Sequence, residues 1–343
     1  MAILLPAFTR AARGGRESVG SADLLLECCR RMGGELLQLK YILMSDGPDS
    51  VARQPDSRVG HPLSVYEARA ILREVARRGA DYSLGPPPAV LPDWTAGAVR
   101  TLAEARSMST DQGLSLVGGR EVLTALLVGE GTTASALLTS SGVDRSELLS
   151  AVGRLASFQG KRPWAPAIDS LEMTGVLRMN LVFRLLQWPL NLVVRKAIGH
   201  SYGLVATLED EAARQAGREG SADVRTEHVV LGAASIFHQL ALSQIAEPEE
   251  LRDCRPVLER YGLSYADLIL RIVAGANAVL SQPGGEPLSV RARRPVASPD
   301  VAMAFELLGG MARQGSSYGE ILESLFAMPQ VRSAIAALTA DQP

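Results

Sequence analysis

Few residues of this chain are able to attack a carbon, relay a proton or hold a metal. Its four histidines are His61, His200, His228 and His238. Zinc held on one helix needs the order His-Glu-x-x-His, which sets both rings on one face. No pair has that spacing, and His228 and His238, ten residues apart, fall on different helical faces. A serine nucleophile at a strand-to-helix elbow needs Gly-x-Ser-x-Gly. Gly15-Arg16-Glu17-Ser18-Val19-Gly20 has one residue too many before its serine. Cys28 and Cys29 are adjacent and Cys254 is remote, so no Cys-x-x-Cys exists for zinc or a disulfide framework. That cysteine usage suits a reducing cytoplasm, the expected location. A phosphate-cradling loop requires Gly-x-x-x-x-Gly-Lys-Ser/Thr, and none is present. The expectation is a protein that binds and does not catalyse, with no metal and no cofactor.

The elements that must present any binding surface are helices. The 343 residues are 47% hydrophobic but only 5% aromatic, and Leu, Ala, Val and Arg dominate. Ala, Leu and Arg lose little side-chain freedom in a helix. Few segments cluster Val, Ile, Thr and Tyr at period two, so a large sheet is not expected. The length suits two domains. A net charge of −2 gives no pull toward nucleic acid. The opening Met1-Ala2-Ile3-Leu4-Leu5-Pro6 has no basic residues ahead of it and is too short for a signal peptide.

Apolar spacing predicts helices over 65–78, 95–108, 121–128, 132–140, 144–152, 208–218, 226–232 and onward, 257–261, 264–273, 298–313, 318–326 and 331–338. Gly79, Gly113, Gly129, Gly142, Gly220 and Gly262 punctuate them, and Gly85-Pro86-Pro87-Pro88 is a stretch no helix can cross. Thr95 and Asp144 are expected N-caps, and Pro299 suits a first helical position. Between 157 and 200 the pattern changes to a linker and an apolar segment. A spanning helix takes about 18–20 uninterrupted apolar residues. The segment 176–198 contains Arg178, Arg184, Pro189, Arg195 and Lys196, so no membrane span is expected. It reads either as a connecting helix pair buried between two halves or as a membrane-surface helix, and Pro189 favours the first. A second, basic linker carries Arg291, Arg293 and Arg294, read as solvated.

The same order of parts recurs at 94–152 and 201–273: a long helix ending at Gly, a tight turn, an apolar helix, a break, a short helix, Gly and a last helix. Thr226-Glu227-His228-Val229-Val230-Leu231-Gly232 stands at the turn of the later copy. Trp94-Thr95, Val117-Gly118-Gly119-Arg120-Glu121-Val122-Leu123, Gly129-Glu130-Gly131 and Ser141-Gly142 mark the earlier one. These motifs resemble the Clp amino-terminal repeat, found in pairs at the start of bacterial Clp unfoldases. Its pattern opens on an aromatic-Thr pair and passes through Gly-Thr-Glu-His-Ile-Leu-Leu-Gly. Two further stretches resemble it less closely: Phe8-Thr9 with the residues from Val19 to Leu26, and 298–338. The resemblance covers most of the chain outside about 45–90, 157–200 and 280–295, and it stops short of the ATPase modules of those unfoldases.

The resemblance implies two recognition surfaces. In the family, one binds phosphorylated arginine or unstructured substrate segments, through the early threonine and the glutamate of the Thr-Glu-His turn. The other surrounds the aromatic that opens each repeat and accepts cyclic peptide antibiotics. Ligand-binding roles are thereby implied for Phe8, Thr9, Trp94, Thr95 and Glu227. Ala22 and Arg120 stand where the family has glutamate, and Arg120 would repel a guanidinium. The repeat that keeps Glu227 opens on Ser201-Tyr202, without the aromatic-Thr pair. Val99 and Ala103 replace charged residues one helical turn beyond Trp94, so Val99 would line a more apolar groove. Two readings of the aromatics stay open, packing in the core or an exposed hot spot. Thr226 is expected to cap the following helix, with Glu227 and His228 in its first turn.

The expectation as a whole is an all-α protein with two pseudo-repeated lobes, 1–156 and 201–343, joined by an apolar helical connector over 157–200. The first lobe would hold a degenerate repeat at about 8–45, a helical insert at 64–90 and a clearer repeat at 94–155. The second would hold repeats at 201–275 and 296–340. The expected function is capture of a peptide, a substrate segment or a cyclic peptide antibiotic, as an adaptor or sequestering decoy for a Clp unfoldase or protease. A scaffold that has lost the ancestral pocket is the alternative.

Overall fold

A computed structural model describes residues 2–32, 62–81, 92–114, 116–154, 165–174, 176–177, 202–245, 248–280 and 295–340. The apolar segment 178–198, the Gly-Pro-Pro-Pro run, His61, His200 and the second linker lie outside these residues. The described residues fall into two units, 2–154 and 165–340. About three quarters of the described residues, 76%, are helical, and their sheet content is limited to two-residue strands.

In the first unit the order is α1 (Leu4–Arg13), β1 (Ser18–Val19), α2 (Ser21–Met32), α3 (Pro62–Asp81), β2 (Asp93–Trp94), α4 (Ala96–Asp111), α5 (Gly119–Val128), α6 (Thr133–Ser140) and α7 (Arg145–Arg154). Strand β1 pairs in parallel with β2, in the register Ser18 to Asp93 and Val19 to Trp94. The predicted helices are present here. Helix α3 runs two residues past Gly79 to Asp81, since one glycine costs a helix only about 1 kcal/mol. Thr95 caps α4 as expected, its hydroxyl accepting from the Ala98 amide at 3.3 Å. Gly113 ends that helix at φ +67, a left-handed conformation that suits glycine. The core gathers Phe8, Leu24, Leu25, Leu72, Leu123, Leu126, Leu137 and Leu138, all fully buried. Each such side chain contributes about 1.5–3 kcal/mol on leaving water. Helix α3 lies along α4 and also touches α1, so it roofs the core between them.

The second unit contains α8 (Pro166–Met173), α9 (Tyr202–Glu219), β3 (Asp223–Val224), α10 (Thr226–Leu242), a short 3-10 turn, α11 (Cys254–Arg260), α12 (Tyr265–Leu280), β4 (Val296–Ala297), α13 (Pro299–Arg313), α14 (Tyr318–Ala327) and α15 (Pro329–Thr339). Strands β3 and β4 pair in parallel, Asp223 with Val296 and Val224 with Ala297. Helices α9 and α10 form its centre. A Cβ added at Gly232 of α10 would lie 2.9 Å from the Ala212 amide nitrogen of α9, so only glycine lets the two backbones cross this closely. Helix α8 falls within the stretch read from sequence as linker, yet it packs on α9 and α10. The Ala167 amide donates to Gln239 Oε1 at 3.0 Å, and the Ser170 and Thr207 hydroxyls meet at 3.0 Å. The reason is its apolar face: Ala167, Ile168 and Leu171 are buried.

Among the described residues no single helix is long and apolar enough to cross a membrane. Two bent pairs of consecutive helices come nearest: α5 with α6, at 70°, and α14 with α15, at 81°. Their larger apolar residues are mostly core residues, including Leu123, Leu126 and Leu137 in the first unit and Ile321, Leu322 and Phe326 in the second.

Candidate functional site

Among the described residues, four helices start on the same hydrogen bond. The amide of the residue before the helix donates to the side chain three positions on, which satisfies one of the helix's orphan donors. Gly20 donates to Asp23 at 2.9 Å, Gly118 to Glu121 at 2.8 Å, Arg225 to His228 Nδ1 at 2.9 Å and Ser317 to Glu320 at 2.7 Å. Three of these acceptors are carboxylates and one is an imidazole. Because His228 Nδ1 accepts, its proton sits on Nε2, which donates to Glu219 at 2.9 Å. The ring is fully buried. His228 is thus a structural residue.

This geometry corrects the assignment of the cap to Thr226. The cap position belongs to Arg225, with φ −104 and ψ 171, and Thr226 is the first residue inside α10. The physical reason is that the cap hydrogen bond is supplied from His228, so no hydroxyl is needed before the helix. Thr226 instead directs its hydroxyl to Glu227 Oε2, at 3.5 Å. Glu227 is half-buried. Among the described residues it has no ion-pair partner, whereas neighbouring Arg225 pairs with Glu219 at 3.9 Å.

The aromatic positions close inward. Phe8 is fully buried and Trp94 is 5% exposed, with their rings stacked at 5.7 Å between centroids. The Trp94 indole N–H donates to the Leu72 carbonyl at 3.1 Å. That bond anchors α3 over the pair. Of the two readings open from sequence, the structure takes core packing for Phe8 and Trp94. Val99, one turn along α4, is buried as well. Covering by α3, a contact remote in sequence, is what closes this region.

The threonines are placed differently. Thr9 donates to the Leu5 carbonyl at 2.8 Å, one turn back in α1. Thr95 stands at the start of α4, beside the starts of α2 and α6. A Cβ on Gly20 would meet Thr133 Oγ1 at 3.2 Å and Thr95 Oγ1 at 3.6 Å. Ser21 and Thr133, the first residues of α2 and α6, cap each other reciprocally. The Ser21 hydroxyl accepts from the Ala134 amide at 3.0 Å, and the Thr133 hydroxyl accepts from the Ala22 amide at 3.2 Å. Phe8, Trp94, Thr95 and Val99 therefore gather in one region of the first unit, while Glu227 belongs to the second unit. Arg120 turns to its own neighbour, meeting Glu121 at 3.1 Å.

A buried polar cluster in the second unit was not anticipated from sequence. Glu211 on α9 is 1% exposed. Its Oε1 accepts from Gln215, Ser235 and Gln239 at 2.9, 2.8 and 3.1 Å. Its Oε2 makes no hydrogen bond but lies 3.0 Å from Arg214 Nη1, an ion pair between two buried groups. The Tyr265 hydroxyl reaches Gln215 Oε1 at 3.2 Å, and burial pushes its phenol above the usual range. The spacing carries a signal: 211 and 215 on α9, 235 and 239 on α10, polar residues at four-residue intervals within apolar helices.

The thiols lie in the interior. Cys28, Cys29 and Cys254 are free and buried. Burial pushes Cys29 from 9.0 up to about 12 and raises Cys28 further, so neither supplies a thiolate near neutral pH. Among the described residues no group of three or more His, Cys, Asp or Glu side chains is arranged to hold a metal. Comparison of the chain with protein-family models, with curated proteins and with solved structures returns no match.

Proposed function

We propose that the chain is a non-catalytic, Clp N-like binding protein that holds a peptide or substrate segment. The observation that carries this reading is the fourfold turn. Asp23, Glu121, His228 and Glu320 each accept the cap amide at the start of a helix, and the His228 turn bears the Thr-Glu-His sequence of the family. The element order agrees with four repeats in two lobes. In each unit a strand before one such helix pairs in parallel with a strand that opens the next repeat. The bent helix pairs α5–α6 and α14–α15 occupy the same place in that order.

On this reading recognition rests on Glu227, a carboxylate at the first turn of α10 with no cation paired to it among the described residues. It suits a guanidinium or ammonium on a peptide. The aromatic surface that takes cyclic peptides in the family is filled here by Phe8, Trp94 and α3. The protein would act without chemistry, either delivering its ligand to a Clp unfoldase or lowering free ligand by mass action. A cytoplasmic location goes with that role. The alternative, a scaffold without the ancestral pocket, draws support from the buried aromatics and from the pairing of Arg120 with Glu121.

A thermal-shift panel separates the two. A phosphoarginine peptide, casein and a cyclic peptide that targets Clp N domains are each added to the full chain. Peptide capture raises the melting temperature with the first or second, and the closed aromatic pair leaves it unmoved with the third. A melting temperature indifferent to all three would leave the scaffold reading.

A further inference from the structure

Helix α13 carries apolar residues on both sides. Val301, Ala304, Phe305, Leu308 and Ala312 face the core of the second unit. On the opposite side Met303 is 65% and Leu307 52% exposed, and Val296 in the preceding strand is 68% exposed. Gly310 continues the stripe, since 303, 307 and 310 fall along one line of a helix. A Cβ at Gly310 would meet nothing within 4 Å, so the helix is bare at that point. Glu306 and Arg313 are exposed along one edge of the stripe, and among the described residues neither has an ion-pair partner. The helix that follows the paired strand in the first unit, α4, is arranged otherwise. There α3 covers the flank, and Arg100 and Glu104 form an ion pair at 3.0 Å along it.

We propose that this face of α13 docks on the same face of a second copy of the chain, antiparallel across a two-fold axis. The charge pattern selects that occupant. In an antiparallel pair related by a two-fold axis, the same edge of each helix meets the same edge of the other. Glu306 of one copy then comes within reach of Arg313 of the other, twice over. In that register each Leu307 lies against the other copy's Gly310, where the missing side chain lets the axes approach closely. The apolar stripe is thereby taken out of water, and the charges along its rim are matched in sign. One helix pair is a small interface, so association should depend on protein concentration. This assignment does not depend on the ligand reading.

Sedimentation velocity of the full chain over a wide concentration range tests it. The expected result is a rise from the single-chain mass of 36.5 kDa toward twice that value. Leu307→Lys should hold the protein at the single-chain mass, with helical circular dichroism and melting temperature unchanged because the site is exposed. Glu306→Lys should weaken association about tenfold through like charges, and adding Arg313→Glu should restore it. A wild-type chain that stays at single-chain mass throughout would overturn the proposal. So would a Leu307→Lys chain that assembles like the wild type, or a charge-swapped pair no better than Glu306→Lys alone.

Discussion

Replacing Trp94 with alanine is expected to cost the first unit about 3–5 kcal/mol, the range for deleting a buried large aromatic. Three losses combine. The indole leaves a cavity against Phe8, which is fully buried and stacked on it at 5.7 Å. The Leu72 carbonyl, already within the helical ladder of α3, loses its second donor, and with it the hydrogen bond that ties α3 to β2. Strand β2 loses the side chain that locks it between α3 and α1. Native-state hydrogen exchange resolves this prediction by unit. Amides in α3 and α4 should lose protection by the full amount, while those of α9 and α10 keep theirs. Trp94→Phe should recover most of the packing but not the hydrogen bond. Stability unaffected by Trp94→Ala would mean that the aromatic pair is not core.

Glu211→Ala should be comparably severe in the second unit, at about 3–5 kcal/mol, the range for removing one partner of a buried ion pair. Arg214, only 7% exposed, would lose its carboxylate at 3.0 Å. Gln215, Ser235 and Gln239 would lose their shared acceptor at the same time. Glu211→Gln keeps an oxygen for those three donors and removes only the charge, so its cost should be clearly smaller. Read from urea unfolding, the cost of Glu211→Gln measures the charge, and the further cost of Glu211→Ala measures the hydrogen bonds. Equal costs would show that the three hydrogen bonds to Oε1 add nothing beyond the Arg214 pair.

Much of the fold was legible in the sequence because its punctuation is local. Gly113, Gly142, Gly220 and Gly262 all adopt positive φ at the predicted helix ends. Thr95 and Asp144 start helices where their side chains allow it; the Ser146 hydroxyl and amide bond Asp144 and hold its carboxyl below the usual range. What was not legible depends on contacts between distant segments. Whether Trp94 faced solvent or core was decided by Leu72, on a helix with no motif to pair it with the strand. The cap of α10 was misplaced because Thr226 is the better capping residue by type, and only the His228 to Arg225 hydrogen bond shows that the role passes three residues onward. The polar residues 211, 215, 235 and 239 carried a periodic signal, but each helix alone reads as an apolar face with occasional polar interruptions. Their convergence exists only once α9 and α10 cross at Gly232.

In the function proposed, this molecule holds a flexible polypeptide without transforming it, through the Glu227 turn. Fluorescence anisotropy of labelled, permanently unfolded casein titrated with the full chain tests that claim most directly. The account predicts a saturable rise without added nucleotide, a weakening of about tenfold on Glu227→Gln in keeping with loss of one charge-assisted contact, and casein recovered intact. Flat anisotropy, or casein recovered in fragments, would contradict it.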